Sequence, residues 1–196
     1  SSNDVIPTAI HVSAVTVVSR DLLPAIDELI SAISLKSDAL QGVCKTGRTH
    51  LMDAMPVRMD QILKGWAAQL ENARALISTT LAHLQYVALG GTAVGTGINT
   101  HRDFSAASTQ ILSTKLGLEF FPEKEHFSLL GSQDSAVALS GQLQTLAVAL
   151  LKISNDLRWM NSGPLAGLGE ISLEPLQPGS SIMPGKVNPT QSEAVT

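Results

Sequence analysis

The sequence predicts an all-α fold, a bundle of long antiparallel helices. Three observations carry that expectation. Apolar residues between Met59 and Val87 recur at intervals of three and four, the spacing that lines one face of an α-helix. A second run of the same kind extends from Gln133 to Met160. No region alternates convincingly between apolar and polar residues as a half-buried strand does. Long helices joined by irregular, polar connections bury their stripes against one another, which is the bundle solution.

In chain order, Ser2, Asn3 and Asp4 are candidate N-caps, and Pro7 falls in or near the first turn, where a missing N–H is tolerated. Ile6, Ala9, Ile10, Val15 and Val18, then Leu22, Leu23, Ile26, Leu29, Ile30 and Ile33 keep a helical spacing. Pro24 marks a kink or break near Arg20 and Asp21. Cys44 to Met55 lacks a sustained period and carries Gly47, Arg48, Thr49, His50 and Asp53, so it is read as an irregular connection. Pro56 is expected to open the long helix through Met59, Ile62, Leu63, Trp66, Leu70, Ala73, Leu76, Ile77, Leu81, Leu84 and Val87, with Gly90-Gly91 ending it. Roughly thirty residues would span about 45 Å. Met and Trp on this stripe are read as core.

Gly90 to Gly97 has a glycine spacing like that of a dinucleotide loop, but such a loop follows a strand and this one follows a helical pattern, so nucleotide binding is rejected. A shorter helix is expected from Asp103 to Leu116, terminated by Gly117. Phe120 to Ser132 is read as a connection, and the second long helix follows through Val137, Leu143, Leu146, Leu150, Ile153 and Leu157. Ser162 to Pro178, rich in Gly and Pro, is a loop.

The 196 residues suit one domain with a sizeable core. Hydrophobic residues make up 44% and charged residues 15%, a meagre polar surface for a monomer, so oligomer interfaces are expected. A net charge of -4 gives no basic face for nucleic acid or an anionic membrane. Apolar runs such as Leu146 to Leu151 stop short of the about 18 residues a membrane span requires, so a soluble chain is expected. Cys44 is the single cysteine. It excludes an internal disulfide, makes a reducing compartment the default, and is read as a buried or half-buried filler. The polar start, Ser-Ser-Asn-Asp without Met, looks like the interior of a longer protein.

The densest polar chemistry lies from Gly179 to Glu193, reading Gly-Ser-Ser-Ile-Met-Pro-Gly-Lys-Val-Asn-Pro-Thr-Gln-Ser-Glu. Two adjacent hydroxyls, flexible backbone N–H groups, Lys186 and Asn188 make an anion site with an acid or base beside it. Asn188 is a candidate N-cap, Pro189 suits the first helical position and Gln191 can close a capping box, adding the partial positive charge of a helix N-terminus near Lys186. A phosphate-cradling loop is excluded, because five residues separate Gly179 from Gly185 and Val187 follows the lysine.

This stretch matches the Gly-Ser-x-x-Met-x-x-Lys-x-Asn signature of the fumarase/aspartase superfamily at every fixed position. Ser1 to Ala9, Lys45-Thr46-Gly47-Arg48-Thr49-His50 and Gly90 to Gly97 resemble class II fumarases in particular, in the family's order and at about its spacing. The resemblance covers essentially the whole chain. It implies the central helical-bundle domain, residues 1–196, with the family's smaller N- and C-terminal domains absent and the last bundle helix cut at Thr196.

It also implies reversible hydration of fumarate to malate through a carbanion delocalised into a carboxylate, without cofactor or metal. Ser180 takes the place of the base, poised as an oxyanion by neighbouring donors. His50 is the active-site histidine and Glu193 its carboxylate partner. Lys186 and Asn188 are substrate-carboxylate ligands, joined by Ser1, Ser2, Asn3 and Thr49. The expected partners are a small dicarboxylate and three further copies of the chain, in a homotetramer whose sites are shared between subunits. A place in the tricarboxylic acid cycle follows, in the cytoplasm, or in mitochondria if the source is eukaryotic.

His11, His83, His101 and His126 have no metal-ligand spacing and receive no catalytic role. One departure is Ser132-Gln133-Asp134, where many fumarases place a small residue and histidine before the aspartate. Two rival readings stand beside hydration: an ammonia-lyase such as aspartase, disfavoured by Asn188-Pro189-Thr190-Gln191 and Gly167-Leu168-Gly169-Glu170-Ile171, and a non-catalytic scaffold that keeps only the bundle.

Overall fold

A computed structural model describes residues 2–196, so the expectation for Ser1 lies outside the described residues. The all-α class is what the structure shows. Its helices are α1 (Ser2–Val17), α2 (Leu23–Ala39), α3 (Met59–Leu84), α4 (Phe104–Leu116), α5 (His126–Gly131), α6 (Asp134–Met160) and α7 (Thr190–Val195). The strands are β1 (Cys44–Thr49) and β2 (Met52–Arg58), which pair antiparallel, and β3 (Tyr86–Val87) and β4 (Phe121–Pro122), which pair parallel. The chain forms two compact units, one from the residues up to Ile30 with Glu71–Gln144, the other from Ser31–Leu70 with Thr145–Thr196.

In the first unit, α1 does not break before Pro24 but passes into α2 through a π-helical turn, Val18–Leu22, where the N–H of Leu23 donates to Val18 O. In α-helical register the Pro24 ring would press on the carbonyl of Arg20. The wider turn accommodates it without ending the helix. Asp4, buried, accepts the N–H groups of Gly90 and Thr92, both at 3.0 Å. Asn3 Nδ2 donates to Ala93 O at 2.6 Å, and the buried His11 donates through Nδ1 to Tyr86 O at 2.7 Å. The start of α1 is thereby tied to the glycine-rich stretch after β3. Ile77, Leu84 and Val87 are fully buried. α3 ends at Leu84 rather than at Gly90 because Tyr86 and Val87 leave the helix to pair with Phe121 and Pro122. α4 ends as expected, at a left-handed Gly117 (φ 63). The connection from Phe120 to Ser132 holds β4 and the short α5.

In the second unit the expected irregular connection is the β1–β2 hairpin, and Pro56 lies in β2 instead of opening a helix. A two-stranded ribbon has only edges, where proline is tolerated. The helix start falls to Met59, and Asp60 in its first turn organises the junction. Its carboxylate accepts from Arg58 Nε at 2.8 Å and Lys64 Nζ at 3.2 Å, while its carbonyl accepts from Ser37 Oγ. Leu63, Trp66, Leu70, Leu146 and Ile153 are buried. Trp66 Nε1 donates to Asp156 at 3.2 Å, and Lys152, also paired with Asp156, sits 5.7 Å from the Trp66 ring centroid. Cys44 is exposed rather than a core filler, because it starts a hairpin strand whose surface is largely open.

The hydrogen bonds from Arg58, reinforced by Lys64 and by both charges and opposed by burial, lower the Asp60 carboxyl to about 2. A depressed carboxylate stabilises the fold fully above its unfolded value near 3.8, and the contribution is lost as pH falls through about 2. The stability gap between wild type and Asp60→Asn is therefore expected to be constant above about pH 5 and to shrink steadily below about pH 4. Denaturant melts across that range check it.

Two helical stretches correct the reading of hydropathy. Ser2–Ala39 and Asp134–Met160 reach mean hydropathies of 1.3 and 1.5 over an 18-residue window, long and apolar enough to cross a membrane by length and composition, which unbroken apolar runs do not reveal. Much of that apolar surface is uncovered: Ile6, Val17, Leu35, Val137 and Val148 are exposed although they keep the helical spacing or flank it.

Candidate functional site

The second unit carries the signature loop on the end of α6. Past Met160 the chain turns back, because the Met160 carbonyl accepts the N–H groups of Glu170 (2.8 Å) and Ile171 (3.2 Å) and Asn161 Oδ1 accepts that of Leu173. A Cβ at Gly167 would lie 2.3 Å from the Ser162 carbonyl carbon, so only glycine permits this return. The signature loop then closes on itself. The Ser180 N–H donates to Lys186 O at 2.9 Å and the Lys186 N–H to Met183 O at 3.1 Å.

Within that ring Ser180 is half-buried, and its Oγ accepts the N–H groups of Ile182 and Met183, each at 3.3 Å. Two amide dipoles aimed at one hydroxyl oxygen stabilise negative charge there. Lys186 Nζ donates to Asn188 Oδ1 at 2.9 Å. That contact corrects the capping expectation: the Asn188 side chain is engaged by the lysine, the cap position falls on Pro189 without a side-chain cap bond, and α7 begins at Thr190. Lys186, Asn188 and Glu193 line one cavity of about 1030 Å³ with Arg158 and Trp159.

The hairpin carries the other candidates. The register shifts between Thr46 and Arg48, and a Cβ at Gly47 would lie 2.3 Å from Met55 O, so the bulge demands glycine and re-aims Arg48. Thr49 pairs with Met52 across a two-residue turn in which His50 (φ 52) and Leu51 (φ 61) both occupy the left-handed region. Turns of this shape normally use Asn or Gly. Leu51→Asn is accordingly expected to raise stability by about 1 kcal/mol, read by chemical denaturation. His50 lines a second cavity, of about 630 Å³, with Arg48, Lys152, Trp159 and Glu170.

Of the expected site residues, the structure therefore brings Lys186, Asn188 and Glu193 together, with Ser180 bonded to the Lys186 backbone. His50, with Thr49 beside it in the hairpin, lines a different cavity from Glu193. Ser2 and Asn3 are exposed positions of α1 in the other unit.

Sequence reasoning missed an ion cluster beside His50. Arg48 Nη1 meets Glu170 Oε1 at 2.8 Å and Lys45 Nζ meets Glu170 Oε2 at 3.1 Å, with all three side chains largely shielded. Burial acts to raise the Glu170 carboxyl, but hydrogen bonds from Arg48 and Lys45 and their charges outweigh it and hold the group below its ordinary value. The signal was present as two basic residues in Lys-Thr-Gly-Arg-Thr-His and one acid in Gly-Leu-Gly-Glu-Ile. Nothing in the spacing pairs them across more than a hundred residues.

Comparison with known proteins gives a family described as Lyase, matched over residues 1–196. A protein of Pseudomonas aeruginosa named fumarate hydratase class II 2 is 60% identical over 194 residues, covering 99% of this chain and 42% of that one. A fumarate hydratase class II of Xylella fastidiosa is 55% identical over 195 residues, 100% of this chain and 41% of that one. The crystal structure of a class II fumarase from Schistosoma mansoni superposes with a TM-score of 0.91 at 38% identity, covering all of this chain and 44% of the other. The chain thus spans about two fifths of the length of the curated relatives it matches.

Proposed function

The chain belongs to the lyase family that matches it from end to end, and on that premise we propose that the full-length protein is a class II fumarate hydratase, interconverting fumarate and (S)-malate. The observation that carries the reading is Ser180 Oγ held under two backbone N–H donors, in the loop where Lys186 is paired with Asn188. A serine hydroxyl is a poor base unless its oxyanion is stabilised, and these donors supply that.

In the elimination direction, Ser180 as alkoxide takes the proton from the carbon beside one malate carboxylate. The electron pair delocalises into that carboxylate, where Lys186 and Asn188 stabilise the doubly charged intermediate. The pair then returns to form the double bond as the C–O bond on the next carbon breaks. His50, oriented by Glu193, gives the departing hydroxide a proton, so water leaves. Thr49, Ser1, Ser2 and Asn3 hold the substrate carboxylates.

The protein acts as a homotetramer with shared sites. The support is that His50 and Glu193 line different cavities of one chain, while apolar residues such as Val137 and Val148 stand exposed for burial against a second copy. This activity belongs to the tricarboxylic acid cycle, in the cytoplasm or, in a eukaryote, the mitochondrion. Incubating the full-length protein with fumarate in ammonium buffer tests the reading. Malate is the expected product; aspartate would assign an ammonia-lyase, and no turnover in a verified tetramer would leave a bundle scaffold.

A further inference from the structure

We propose that Glu170 is a positioning residue, whose ion cluster with Arg48 and Lys45 clamps the β1–β2 hairpin so that its strained tip presents Thr49 and His50 in a working geometry. This rests on the functional reading above, in which His50 handles the departing water.

The tip cannot hold its shape on local preference. Two successive non-glycine residues with positive φ, His50 at 52 and Leu51 at 61, are strained and persist only where surrounding structure over-determines them. The hairpin is a two-stranded ribbon, a unit marginal by itself, and β2 is exposed at every position except Val57. Something outside the ribbon must fix it.

Glu170 has the required attachments. Its own N–H donates to Met160 O at 2.8 Å, which anchors it to the last turn of α6. Its carboxylate reaches Arg48 at 2.8 Å and Lys45 at 3.1 Å, two residues of one strand, and Arg48 stands two positions before His50. Side-chain exposures are 18% for Arg48, 13% for Lys45 and 11% for Glu170, so these pairs are poorly screened and loss of one partner leaves uncompensated charge. The contact of Arg48 with Asp53, at 3.8 Å to a side chain 83% exposed, is too long and too open to substitute.

The carboxylate acts through the hairpin and not on substrate, since a dicarboxylate would be repelled by it. Its second effect is to neutralise Lys45 and Arg48, which would otherwise attract a substrate carboxylate to the flank of His50.

The test uses the full-length tetramer with fumarate and malate. Glu170→Gln, which keeps the shape and removes the charge, is expected to lower kcat by about 10²-fold with KM changed less than about threefold. Glu170→Asp should recover part of the loss. Amide hydrogen exchange at Thr49 to Met52 should accelerate in Glu170→Gln while α3 and α6 keep their protection. If the Gln variant does not fold, Arg48→Lys, which preserves both charges but not the guanidinium geometry, carries the same measurements. Normal kcat, or unchanged exchange at the tip, overturns the proposal. A wild-type protein that does not hydrate fumarate removes the functional reading instead, and the exchange comparison still decides whether the clamp exists.

Discussion

Ser180→Ala in the full-length protein is expected to lower kcat by about three orders of magnitude, because a positioned base contributes on that scale and does so mainly in the transition state. Dicarboxylate affinity should survive, since the ligands of the ground-state carboxylates are untouched. Lys186→Met should behave differently and damage both binding and turnover, as on the proposed reading its charge would face the substrate carboxylate before as well as during reaction, and its loss also frees Asn188 Oδ1. Steady-state kinetics with equilibrium binding of a non-reacting dicarboxylate separates the two patterns. Near-normal turnover in Ser180→Ala would remove serine from the base position, and the two N–H groups on its Oγ would then be an ordinary turn.

Mixing full-length His50→Asn and Ser180→Ala proteins, each nearly inactive, is expected to restore activity to about a quarter of the sites after random subunit exchange. That fraction follows if a site takes its histidine from one chain and its serine from another, so that half of the sites receive each wild-type residue. In the isolated chain His50 lines a cavity that the signature loop does not enter, which is the reason to expect complementation. Mixed tetramers verified by mass spectrometry that remain inactive would require one chain to supply both groups.

The long helices were legible because burial follows their apolar spacing: Leu63, Trp66, Leu70, Ile77 and Leu84 are core on α3, and Leu146 and Ile153 on α6. The hairpin was not. Its second strand is exposed almost throughout and carries Pro56, and its turn uses His50 and Leu51 where a sequence signal would be Asn-Gly. A proline also tells a reader only that an N–H is absent. Helix starts and ribbon edges both tolerate that, and Pro56 took the second role. The signature loop was legible as composition, yet the partner of Asn188 was not, because an exposed amide two residues from a lysine can cap a helix or pair with the ammonium with similar ease.

The π-helical turn at Val18–Leu22 also sets how this segment can change in length. It holds one residue more than an α-helical turn would, so a one-residue deletion inside it is absorbed as the helix closes in ordinary register, whereas a one-residue deletion between His11 and the turn would rotate everything before it by about 100°. Asp4 would swing off the Gly90 and Thr92 amides, Asn3 off the Ala93 carbonyl and His11 off that of Tyr86. Substitutions along α1 alter one contact each, but a single-residue gap between His11 and the turn would break all of them together. Working homologues should therefore keep their length between His11 and Val17 and lose a residue only within the turn.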